Sequence, residues 1–225
     1  MLRAGMRRLR VGVLISGRGS NLRALIDAAA DPAYPAEIAT VISNRAEAAG
    51  LARAETAGIP RHVVADPDRA TFAAEANRLL REAGVELVAL AGYMRILDNA
   101  FVEAWSDRMV NIHPSLLPAF PGLHPQRQAL AAGVKFSGCT VHFVRTAVDT
   151  GPIIAQAVVP VEDGDDEERL AARILAAEHR LYPLAVKLFA EGRLHIDGDR
   201  VRVHGAAAPD IAALNPTENL ASGAS

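Results

Sequence analysis

The 225 residues predict an α/β fold in which helices cover a mostly parallel sheet, and two observations carry that expectation. Short β-branched runs alternate with longer Ala-, Leu- and Arg-rich segments, the rhythm of parallel strands joined by crossover helices. Half of the residues are hydrophobic but only 4% are aromatic, so the core is assembled mainly from Ala, Val, Leu and Ile. A chain of this length fits one large domain, or at most two small ones, and is long enough to bury most of its potential core surface.

Taken in order, residues 11–15 read as the first strand and 21–30 as its following helix; 38–42 and 46–57 repeat the unit. Residues 86–90, apolar after Glu86, read as a strand buried on both faces, so the first hundred residues form half of a doubly wound sheet. Beyond Asn111 the prolines at 114, 118, 121 and 125 exclude a helix interior or central strand. They predict an ordered loop, followed by strands over 139–144 and 153–161. Leu170, Ile174, Leu175, Leu181 and Leu184 recur at helical spacing within 165–189, behind the acidic cluster Asp165, Asp166, Glu167 and Glu168 that suits a helix N-terminus. Pro183 is expected to kink or split this helix. From about Gly205 the chain turns to unpatterned Ala, Pro, Asn and Ser, which predicts a disordered tail over 205–225. The reading is a single domain over 1–204, with 1–9 as a flexible basic leader.

A net charge of −2 offers no broad positive field for a polyphosphate backbone, so no nucleic-acid partner is expected. No apolar run approaches the ~18 residues of a membrane span. Cys139 stands alone, allows no internal disulfide and points to a reducing, cytoplasmic setting. Small-molecule substrates are the expected partners, on a monomer or homodimer.

Three segments carry chemistry. The first strand runs into Ser16-Gly17-Arg18-Gly19-Ser20-Asn21, where glycines admit a close ligand and free N–H groups at a helix start favour phosphate. A plain tight turn with Ser20 as helix cap fits equally. Leu22 stands where a dinucleotide fingerprint needs glycine, and Arg18 and Gly19 stand where a nucleotide-triphosphate loop needs Lys and Ser or Thr. In the second segment, Asn111 to Pro118, Asn111 and His113 are two apart. An extended backbone therefore points both to one side, where an amide donor and an imidazole converge on one spot. That pair suits a carbonyl oxygen becoming an anion; a surface histidine in a Pro-rich turn is the bland alternative. Third, Asp149 opens the turn Asp149-Thr150-Gly151-Pro152. Near His113, its charge would keep the imidazole protonated. His113, His124 and His142 are too widely spaced for a helical metal pair, and Cys139 has no partner, so no metal is expected.

Together these segments resemble the phosphoribosylglycinamide formyltransferases, folate-dependent enzymes of purine synthesis. The resemblance runs through Val13 to Leu22, Leu90 to Leu97, Asn111 to Pro118 with Phe120 to His124, Gly138 to Val144, Val148 to Pro152, Glu178-His179 and Tyr182-Pro183. It implies a three-layer, Rossmann-like formyltransferase fold, with 10-formyltetrahydrofolate as co-substrate and no metal. The glycinamide amine attacks the formyl carbon through a tetrahedral intermediate. By the same resemblance Asn111, His113 and Asp149 match the catalytic trio, while Gly19, Ser20, Asn21 and Glu178 match substrate contacts. Arg69, Met94, Arg95, Ile96, Leu97, Asn111, Arg145, Thr146, Ala147, Val148 and Asp149 match the folate site. Methionyl-tRNA formyltransferases share the Asn-x-His-Pro-Ser-x-Leu-Pro pattern, and formyltetrahydrofolate hydrolase uses a similar trio with water as acceptor. A non-catalytic phosphometabolite-binding protein on the same fold is the alternative of another class.

Overall fold

The computed structural model describes residues 7–208 and 213–215. At its centre lies β1 (Leu9–Ile15), which leads through α1 (Ser20–Ala29) to β2 (Ala36–Ser43) and through α2 (Gly50–Thr56) to β3 (Arg61–Val63). The chain then crosses to the other side of β1, where α3 (Arg69–Glu82) precedes β4 (Leu87–Leu90) and α4 (Asn99–Ala104) precedes β5 (Met109–His113). All five strands are parallel, as the alternation predicts. After α5 (Pro125–Ala132), β6 (Phe136–Phe143) and β7 (Ile153–Pro160) return antiparallel; α6 (Glu167–Ala190) and the hairpin of β8 (Leu194–Asp197) and β9 (Arg200–Val203) follow. The strand order is β3-β2-β1-β4-β5-β6-β7-β9-β8.

Alternation along the strands makes the three layers. Val11, Val13 and Ile15 of β1 pack with Leu22 and Leu25 of α1 and Leu170, Ile174 and Tyr182 of α6. Leu14 points the other way, into Phe72, Ala76 and Leu80 of α3 and Phe101 of α4. Each fully buried Leu, Ile or Phe contributes about 1.5–3 kcal/mol, which is why β4 is buried along its whole length.

Several elements depart from the sequence reading. Pro125 opens α5, at a helix position whose N–H needs no partner, so the Pro-rich loop ends at residue 124. Thr140 holds that loop by accepting from the Leu117 N–H and donating to the Ser115 carbonyl. Pro183 does not split α6, which runs unbroken from Glu167 to Ala190. The buried Tyr182 beside it anchors the helix, its hydroxyl 2.9 Å from the Leu90 carbonyl and 3.2 Å from that of Val110. α2 starts at Gly50, later than residue 46, because the Gly50 N–H is drawn to the Gly17 carbonyl, 3.0 Å away. β3, β8 and β9 are short and half-exposed, with no two-face apolar signal to announce them.

Of the leader expected over 1–9, residues 1–6 lie outside the described residues. Arg8 donates to the carbonyls of Ala29 and Ala36, and Leu9 already pairs in the sheet. Of the expected tail, 209–212 and 216–225 lie outside the described residues, while Asn215 donates to the carbonyls of Lys135 and Val161. Among the described residues no helix is long and apolar enough to cross a membrane.

Candidate active site

A cavity of about 1040 Å³ opens at the carboxyl ends of β1, β4 and β5, where parallel sheets of this kind collect ligands. Asp side chains cap α3, α4 and α6, but α1 has no side-chain cap. Ser20 is the first helical residue rather than the cap, and Gly19 precedes it at a φ of 67°. A Cβ on Gly19 would lie 2.7 Å from the Cα of Gly50, so only glycine lets the loop approach α2 this closely. The uncapped first turn therefore leaves N–H groups and the positive helix end available to an anion. Ser20 and Asn21 line the cavity, and Gly19 stands just behind them. Ser16 ties this loop to the one after β4, its hydroxyl donating to Asn44 at 2.7 Å and accepting from the Met94 N–H at 2.8 Å.

In β5 the pleat sends Val110 and Ile112 into the core shared with α6, so Asn111 and His113 face the other way, together. The turn before β7 carries Asp149 to them. Its Oδ2 lies 3.4 Å from His113 Nδ1 and accepts from the Gly122 N–H at 2.8 Å. The other ring nitrogen of His113 lies 2.9 Å from the Phe120 carbonyl. Both nitrogens thus face oxygen acceptors. Burial works to push the Asp149 carboxyl up, but the His142 side chain, the Gly122 N–H and the neighbouring histidines outweigh it and hold the group below its ordinary range. At 3.7 Å the Asp149–His142 contact is too long for a hydrogen bond, so the Gly122 N–H and His113 carry most of that effect. His142 sits in the predicted strand with no role legible from its sequence context; only its register, directly across from Asn111, brings it into the site.

From α6, Glu178 reaches the same cavity and accepts from Asn21 Nδ2 at 2.7 Å. Burial pushes its carboxyl up to about 7, against the opposing effect of the Asn21 bond. Asn21 Oδ1 is buried without a partner among the described residues. Met94, Arg95, Ile96, Leu97, Arg145, Thr146, Ala147 and Val148 all line the cavity. Met94, Ile96 and Val148 form an apolar rim, respectively 70%, 61% and 56% exposed. The guanidinium of Arg95 turns away to the carbonyls of Asp66 and Pro67, and that of Arg145 to Asp107, so these two arginines brace loops. Arg69 lies outside the main cavity, in an adjoining depression that shares Leu97. Among the described residues no cluster of three or more His, Cys, Asp or Glu side chains could hold a metal ion.

Fold and geometry together define a class: an α/β enzyme with a cavity at its strand ends lined by hydrogen-bond donors and titratable side chains. The chain belongs to the formyl transferase family, whose sequence profile matches residues 9–186. It is 44% identical over 212 residues to the phosphoribosylglycinamide formyltransferase of Escherichia coli K12, covering 90% of this chain and all of that one. It is 56% identical over 192 residues to the trifunctional purine biosynthetic protein adenosine-3 of Drosophila pseudoobscura pseudoobscura; the match spans 83% of this chain and 14% of that longer protein. Among solved structures, glycinamide ribonucleotide transformylase 1 from Symbiobacterium toebii superposes with a TM-score of 0.86 at 53% identity, covering 90% of this chain and 97% of that one.

Proposed function

We propose that this chain transfers the formyl group of 10-formyltetrahydrofolate to the amine of glycinamide ribonucleotide in purine synthesis, in the cytoplasm. The observation that carries the reading is the clamped imidazole of His113, held between the Phe120 carbonyl and Asp149 beside Asn111. Those two donors match a formyl oxygen that gains negative charge as the amine adds, and they stabilise the resulting tetrahedral intermediate more than the neutral formyl group. The His113 Nδ1–H, 3.4 Å from Asp149, is loosely engaged and can be shared with that oxygen. Asp149, 3.4 Å from the ring, holds it in place and, through water, assists the proton from the attacking nitrogen to the departing folate nitrogen.

The uncapped start of α1, with Gly19, Ser20 and Asn21, suits the ribose phosphate, and Glu178 suits the glycinamide end. The cavity, at about 1040 Å³, stands at the upper end of the ~300–1000 Å³ of ordinary ligand sites, a size that suits two small substrates side by side. Residues 94–97 and 145–149 line the cavity, which supports their backbone groups as partners of a pterin edge, and the apolar rim suits the ring that follows it; Arg69 is a further contact from the adjoining depression. The test is absorbance-monitored release of folate from a 10-formylfolate donor with glycinamide ribonucleotide, with initiator methionyl-tRNA, and with no acceptor. Fast release with the ribonucleotide alone is expected. Release without acceptor would make the protein a hydrolase, and no release would leave a binding protein.

A further inference from the structure

We infer that His142 is a positioning residue for this transfer: its Nδ1–H tautomer orients the Asn111 carboxamide so that nitrogen, not oxygen, meets the formyl oxygen. The inference rests on the donor role proposed for Asn111. His142 and Asn111 are direct cross-strand partners in the β5–β6 ladder, so their side chains share one face of the sheet. His142 is buried, with 2% exposure. Its Nδ1 lies 2.9 Å from the Phe143 carbonyl, which can only accept, so Nδ1 carries the proton. In the neutral ring Nε2 then offers a lone pair, and the atom 3.3 Å away is Asn111 Nδ2. The alternative partner, Asp149 Oδ1, stands at 3.7 Å, beyond hydrogen-bond reach.

A side-chain amide can turn over, exchanging N for O at nearly the same positions. Here only one orientation is matched, because a turned-over Asn111 would set Oδ1 against the imidazole lone pair. In the matched orientation one Nδ2 hydrogen goes to His142 and the second remains for the cavity that Asn111 lines. The opposite orientation would present a lone pair to a developing oxyanion. The Asp149 turn supports the same device from behind. A Cβ on Gly151 would lie 1.7 Å from the Phe143 oxygen, so glycine there lets the turn pass without displacing the carbonyl that selects the tautomer.

The test is a double-mutant cycle on the full chain, read as kcat and KM with 10-formyltetrahydrofolate and glycinamide ribonucleotide. His142→Leu removes the acceptor and is expected to lower kcat by about 10², as loss of one oxyanion donor does, with KM changed less than about twofold. In an Asn111→Ala background His142→Leu is expected to add less than about a twofold further loss, because its effect runs through the amide. His142→Gln, whose amide oxygen can accept near the Nε2 position, should keep kcat within about fivefold of the parent. Additive losses in the double variant, an effect confined to KM, or a Gln variant as slow as the Leu variant would each overturn the inference. Parental kcat in Asn111→Ala would remove the donor role and this inference together; a slow Asn111→Ala with additive losses removes this inference alone.

Discussion

Asp149 adopts a φ of 54°, in the left-handed region where Asp and Asn are tolerated far better than most residues. Asp149→Asn therefore keeps the turn while removing the charge beside His113. Its kcat is expected to fall by about 10² or more, with KM for both substrates near parental values; steady-state kinetics showing a change in KM alone would refute the role. Glu178 supplies a pH signature. Its folded carboxyl is raised from 4.5 to about 7, so the native state holds a proton that the unfolded chain releases. Its contribution to stability is fully present below pH 4.5 and is lost as pH rises through 7, a change of about 3 kcal/mol by linkage. Glu178→Gln keeps an acceptor for Asn21 and cannot ionise. Urea denaturation is expected to show the variant gaining stability on the parent between pH 5 and pH 8; an equal difference at both would contradict the assignment.

Elements bring these residues together in different ways. β5 ends in the site and needs only its own pleat to point Asn111 and His113 the same way. The turn between β6 and β7 has to pass against β6, and Gly151 makes that possible. A Gly151→Ala Cβ would press on the Phe143 oxygen from 1.7 Å, so the turn must shift and carry Asp149 with it. The expected result is a loss of about 1–3 kcal/mol in unfolding free energy, typical of overpacking, with a kcat deficit comparable to that of Asp149→Asn. Unchanged stability and turnover would show the turn to be freer than its packing indicates. α6 spans the sheet and fixes Glu178 by way of Tyr182, whose hydroxyl bonds carbonyls of β4 and β5 one helical turn further on.

At the scale of the whole molecule, the cavity is lined among the described residues by strand ends and loops between β1 and β7 and by α6, with none from the segment after β9. Truncation after His204 removes the two Asn215 hydrogen bonds. At about 0.5–1.5 kcal/mol each, their loss is expected to lower Tm by several degrees at most and to leave kcat/KM unchanged. Calorimetry beside the folate-release assay checks both; loss of activity would give the tail a part in the site. The Arg7–Glu86 and Arg10–Glu37 pairs that fasten the start of β1 are partly exposed to solvent, and contribute little beside apolar burial.

Local periodicity was enough to read the βαβ order, the buried run of β4 and the shared direction of Asn111 and His113, because each depends on neighbours a few residues away. Pro125, and Pro183 as a point of splitting, misled for the same reason: proline constrains its own turn, but whether a helix begins or continues there is decided by what packs around it. The sequence by itself thus determined the fold class and the residue types that carry the chemistry. Only the tertiary structure decided which of them meet. Asn21 finds Glu178 across 157 positions, Asp149 reaches His113 through an antiparallel return, and His142 faces Asn111 by strand register. Such pairings follow from apolar burial summed over the whole sheet, and no local window of sequence contains that sum.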